Sequence, residues 1–265
     1  LSEVSSWLSD NSYGKTKLNV TVAPNIFTLP SDLSSYEKNS QGQEDYPRIM
    51  SDAKTLAWVA GYDSDEFDIT VVVFPEVEWE WSGRATLGGG SNLMNGNFLA
   101  GVAAHEFGHN YGIMHASSWD ADDHGILPPS ASPEETEDPR HVEYGDRFSV
   151  MGDAYNGYPH GDYSPHGKAA LNWIKPSQVK VVTGPGTYRI CRFDHREAND
   201  NPLLALTVET VDAKKLWIGY RCGFENNPHL TGGAYVVWEF EPDRCRLLDM
   251  TPDSSVASHF DDKED

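Results

Sequence analysis

No stretch restricts the fold of this chain more than residues 102–118, VAAHEFGHNYGIMHASS. The chain has 10 histidines in 265 residues, and His105, His109 and His115 all fall within eleven positions. His105 and His109 are four apart, so a helix sets both imidazoles on one face, one turn apart, where they can reach one metal ion. Glu106 stands beside the first of them and projects toward the same side without having to bind the ion. Gly112 has no Cβ, so it can take the left-handed conformation that ends a helix and carry His115 back as a third nitrogen ligand. The pattern predicts a helix over 97–112 with a sharp turn at its end.

His105, Glu106 and His109 form the H-E-x-x-H arrangement in which two imidazoles hold zinc and the glutamate serves as general base. Three protein ligands leave one coordination position for water, as catalytic sites do; a structural site is closed by four. A lone histidine is more often an ordinary core or surface residue, but here five specified positions are met at once. The longer pattern, H-E-x-x-H-x-x-G-x-x-H followed by a methionine turn, is that of the metzincins. FSVMGDAY supplies such a turn, with Met151 36 residues after His115.

The chain resembles the metzincin zinc metallopeptidases, and among them the gametolysin family most closely. HEFGHNYGIMHA, EYGDRFSVMG and YSPHGKAALNWI are similar to that family's metal motif, Met-turn segment and following helix, and LLDMTPDS (247–254) to a motif in its C-terminal β region. The resemblance covers roughly residues 65–255. Ala116 follows the third histidine, where astacins have Glu, the snake-venom and ADAM-type enzymes Asp, and matrix metalloproteinases Ser. Asp153 stands where astacins and serralysins place a tyrosine, and the 117–146 loop is long and lacks cysteines. The resemblance implies a secreted zinc endopeptidase with one Zn2+ on His105, His109 and His115. Glu106 would be its general base and acid, and Met151 the structural support under the metal. By analogy it implies a protein or peptide substrate, such as a cell-wall or matrix glycoprotein.

Hydrophobic patterning predicts an α+β fold. KLNVTVAPNIFTL (17–29) alternates like a strand, 31–45 reads as loop, 46–62 as a helix and 67–75 as a buried strand. Residues 84–96 read as a short strand entering a Gly-rich loop, and 164–174 as a further helix. Residues 117–147 read as a long acidic loop. Beyond Pro176, strand-like runs at short spacing predict an all-β unit. The expectation is a metzincin-like catalytic domain (mixed sheet plus active-site helix) over 1–176 and a β-sandwich-like domain over 177–265. GRATLGGGSN (83–92) falls where metzincins carry a substrate-pairing edge strand. Ala85, Thr86, Leu87 and Gly88 are its candidate peptide-binding residues, against the plainer reading of a surface hairpin.

Composition narrows the partners. A formal net charge of −21, with 41 acidic against 20 basic residues, argues against nucleic acid and anionic membranes and suits a secreted protein. No apolar run is long enough to span a membrane. The chain begins at Leu1, which reads as a processed product. DSDEFD (63–68) and DADDH (120–124) have the oxygen density that Ca2+ prefers, although most such clusters are solvated turns. His141, His160 and His166 lack ligand spacing. Cys191, Cys222 and Cys245 allow one disulfide or three thiols. Two other readings stay open: a zinc-containing protein that binds cell-wall glycan or glycoprotein with little turnover, and a metal-dependent amidase. Glu106 favours turnover, and Met151 with the third histidine favours a peptidase.

Overall fold

A computed structural model of the protein describes residues 2–120, 140–153, 161–194, 201–211, 213–222 and 234–248. The chain divides into two compact units, Leu18–Gly112 and Ser2–Lys17 together with the chain from Ile113 onward.

In the first unit, α2 (Ser34–Glu37) and α3 (Tyr46–Val59) precede β1 (Thr70–Phe74), β2 (Gly83–Ala85), β3 (Ser91–Asn95) and α4 (Ala100–Asn110). Pro47 opens α3, where a missing N–H costs nothing, and Ile49 and Met50 face the core. The three strands form one mixed sheet in the order β1-β3-β2. β1 runs parallel to β3 with Thr70 opposite Ser91, and β2 runs antiparallel to β3 with Arg84 opposite Leu93. The central strand has the most buried residues, Asn92, Leu93 and Met94. The core here is Tyr36, Ile49, Met50, Phe74, Val77 and Leu93, flanked by Trp79 and Trp81, whose rings stack at 4.9 Å.

Two sequence expectations are corrected in this unit. Residues 17–29 form no strand: Val22 is 67% and Ile26 100% exposed, so the alternating pattern has no face to bury. β1 is half-buried and not a fully buried strand, since Val73 points outward.

The second unit contains α1 (Ser2–Asn11), a helix the hydrophobic pattern did not announce, with Val4 and Leu8 buried. Trp7 packs on Tyr163 and donates to the Gly161 carbonyl. The rest is β4 (Ser117–Trp119), β5 (His141–Val142), α5 (Pro165–Ala170), β6 (Val179–Val182), β7 (Ala205–Glu209), β8 (Lys215–Gly219), β9 (Tyr235–Glu241) and β10 (Arg244–Leu248). These strands make one seven-stranded sheet, β5-β4-β10-β9-β8-β7-β6. Its central strands are buried on both faces. Tyr235 and Val237 belong to one cluster with Phe148, Phe193 and Leu247, while Val236 and Trp238 join Trp119 and Leu248 in another.

The strands beyond 176 therefore do not stand alone. Their sheet continues through β10 into β4 and β5, and the division into units falls after Gly112, not near 176. Among the described residues these strands make one sheet and not two packed ones.

Ser164 caps α5 by accepting from the Gly167 N–H, with Pro165 in the first turn. The fully buried Lys168 donates to Asp162 at 2.9 Å and to the Phe193 carbonyl at 3.0 Å. Burial pulls the lysine down and the aspartate up, and each charge opposes the other's shift.

Candidate metal centre

The α4 helix is apolar and small on nearly every side, and residues from Val102 to Gly108 are buried. Its C-terminus is where the sequence placed it. Tyr111 caps the helix, the Gly112 N–H bonds to the His109 carbonyl at 2.9 Å, and Gly112 sits at φ +91°. A Cβ there would meet nothing within 4 Å, so conformation and not space calls for glycine.

His105, His109 and His115 converge. Each offers one ring nitrogen, and the three nitrogens lie within 4.8 Å of one another, a group that can hold a metal ion. The His105 and His109 rings meet edge to face, with centroids 4.8 Å apart. Nitrogens on one tetrahedral zinc stand roughly 3.4 Å apart, given bonds of about 2.0–2.1 Å. Among the described residues no other group of three or more His, Cys, Asp or Glu side chains comes together in this way. The Asp63 carboxylate of DSDEFD instead caps the turn at Ser64–Glu66 by accepting from the Asp65 N–H. Residues 121–124 of DADDH lie outside the described residues, as does His160. His141 lies on β5, and His166 is buried edge to face with Trp217.

Glu106 is 4% exposed. One carboxylate oxygen, Oε2, is buried with no hydrogen-bond partner among the described residues. Burial pushes its carboxyl up to about 8, against the opposing pull of the Ala85 N–H and the Arg84 charge. A buried orphan acceptor of this kind is costly unless something outside the chain completes it. Three imidazole nitrogens are a donor set that fits zinc, as it fits copper, iron or nickel.

Two residues that the motif does not contain hold Glu106 and the helix against the β2–β3 hairpin. A Cβ on Gly83 would lie 2.6 Å from Glu106 Oε1 and 2.6 Å from Val102 Cγ1, so the edge strand reaches the glutamate only because position 83 has no side chain. Asn110 Nδ2 donates to the carbonyls of Gly89 at 2.7 Å, Ser91 at 3.0 Å and Thr86 at 3.3 Å, while its Oδ1 accepts from Asn92. Neither was singled out from sequence, where a glycine before a strand reads as a turn and an asparagine after a histidine as a helix end.

The candidate peptide-binding residues divide. Among the described residues β2 is an edge strand paired only with β3, and Ala85 is its last residue. Thr86 to Gly88 belong to the turn. The Thr86 N–H is taken by the Ser91 carbonyl and the Gly88 N–H by the His109 carbonyl, and Leu87 is exposed. Met151 is 1% exposed, and its carbonyl accepts from the N–H of Ala116 at 2.8 Å, next to His115. Asp146 fixes the start of that turn by accepting from the Phe148 N–H and the Tyr235 hydroxyl.

His115 has partners in EYGD, part of the segment quoted for the Met-turn but given no role there. Glu143 Oε1 lies 2.8 Å from Nδ1, and the Tyr144 hydroxyl 2.9 Å from Nε2. The three cysteines are free thiols: Cys191 exposed, Cys222 half-buried against Arg192, and Cys245 buried against Ser164. No helix among the described residues is long and apolar enough to cross a membrane. Comparison with protein-family models, curated proteins and solved structures finds no match to this chain.

Proposed function

We propose that the chain is a zinc-dependent endopeptidase acting on extended protein or peptide segments. The observation that carries this reading is Glu106, a buried carboxylate with an unpartnered oxygen, on the same helical turn as two of three converging histidines. Zinc held by His105, His109 and His115 would supply a Lewis acid that polarises a peptide carbonyl and acidifies water. Burial alone favours the neutral acid, and a cation bound at the histidines would draw Glu106 back to the carboxylate, the form that accepts the proton of the attacking water and hands it to the leaving amine. The Ala85 N–H and Gly83 hold that carboxylate in one place, which limits the reorientation the proton transfer needs. Among the described residues β2 is paired on one side only, so its outward edge suits strand addition by an extended substrate. The resemblance to the gametolysin family supports a secreted enzyme that cuts cell-wall or matrix glycoprotein.

The test compares wild type with Glu106→Gln, both zinc-loaded, on a pool of unfolded proteins read by mass spectrometry. Cuts by the wild type that drop by about 10³-fold or more in the variant support the reading. Absence of cuts by either zinc-loaded protein overturns it.

A further inference from the structure

We infer that Tyr144 is a further ligand of the metal held by the three histidines, supplied by the turn that precedes Met151. The inference rests on those histidines binding a metal and is independent of peptide hydrolysis. Glu143 Oε1 lies 2.8 Å from His115 Nδ1, a contact that puts the ring proton on Nδ1. The lone pair for a metal is then on Nε2, and the Tyr144 hydroxyl lies 2.9 Å from that atom. An ion entering at this lone pair meets a phenolic oxygen already in reach.

The backbone holds Tyr144 there. β4 and β5 pair antiparallel with Ser118 opposite Val142 and Trp119 opposite His141. The same register carried past the end of the ladder sets residue 144 opposite residue 116, beside His115. The Gly145 N–H closes the turn onto the Val142 carbonyl at 3.0 Å. Tyr144 itself sits at φ +61°, a left-handed conformation that a bulky side chain rarely adopts. Its ring lies over that of His115, with centroids 4.0 Å apart. Coordination releases the phenolic proton to solvent, as ligands that bind a cation in their anionic form do.

The experiment titrates metal-free wild type, Tyr144→Phe and His109→Ala with Cu2+. Calorimetry counts the bound ions, and visible absorption with resonance Raman detects phenolate-to-copper charge transfer. The expected result is one ion bound by both wild type and Tyr144→Phe, with the charge-transfer band and tyrosinate modes only in the wild type. Zinc affinity should fall about tenfold in Tyr144→Phe. Identical spectra and affinities in the two proteins, each with one ion bound, overturn the inference and leave the three-histidine site standing. No difference in ion count between wild type and His109→Ala removes the site itself, and the inference with it.

Discussion

Glu106 and Gly83 are in contact through space that a single methyl group would fill: a Cβ at residue 83 would stand 2.6 Å from the carboxylate oxygen and 2.7 Å from the glutamate Cγ. The edge strand and the buried acid are thus one fitted pair. Gly83→Ala should lower stability by about 1–3 kcal/mol through overpacking. Zinc content should not change, because no ligand is touched. On the proposed function, turnover should drop on the order of 10–100-fold as Glu106 is pushed from its position. Urea unfolding, metal analysis and a peptide assay on one preparation check all three; normal stability with normal turnover would show that the strand can back away freely.

Asn110 is the second fastening. Its amide serves three hairpin carbonyls and cannot be replaced by a group that only accepts. Asn110→Asp keeps the size and the acceptor for Asn92 but loses both donated hydrogens. We expect a loss of about 2–3 kcal/mol, read as a lower urea midpoint. Amide exchange at Thr86 and Gly88 should quicken along with it. Unchanged exchange at those two amides would mean the hairpin is held by its own strands alone.

Alkaline pH should loosen the second unit. Burial pushes the Cys245 thiol up to about 12, and raises Tyr13 and Tyr235 well above the usual phenol range, with nearby aspartates adding to each. All three are favoured in their protonated forms in the fold. Their contribution is complete below about pH 9 and is lost as pH rises, because the unfolded chain gives up those protons first. The urea midpoint should therefore fall steadily above pH 9. Iodoacetamide should label exposed Cys191 in the native protein and reach Cys245 only after unfolding. Rapid native labelling of Cys245 would contradict its burial.

The metal helix and its turn were legible because they depend on nothing but local periodicity: four residues between histidines, then a glycine that ends the helix. The same holds for α3 and for most strands after Lys175, whose apolar runs carry their own signal. Residues 17–29 alternate as convincingly, yet among the described residues no strand pairs with them, and alternation without a partner buries nothing. Gly83, Asn110, Glu143 and Tyr144 could not be read in advance. Each acquires its role from register, from β2 lying against α4 or β5 lying against β4, and register between segments far apart in the chain leaves no spacing to recognise. The sheet boundary failed for the same reason: Ser117–Trp119 pairs in parallel with Arg246–Leu248 across the whole length between them.

That parallel pairing changes what a shortened chain would be. The Met114 N–H also bonds to the Asp243 carbonyl, so both sides of His115 are fastened to the last strands described. A polypeptide stopped at 176 would keep every residue of the histidine motif and lose β10 and the Asp243 carbonyl, which fasten the chain on either side of its third histidine. Its third histidine would be held with fewer fastenings, so metal affinity becomes an assay for whether the chain's end has folded.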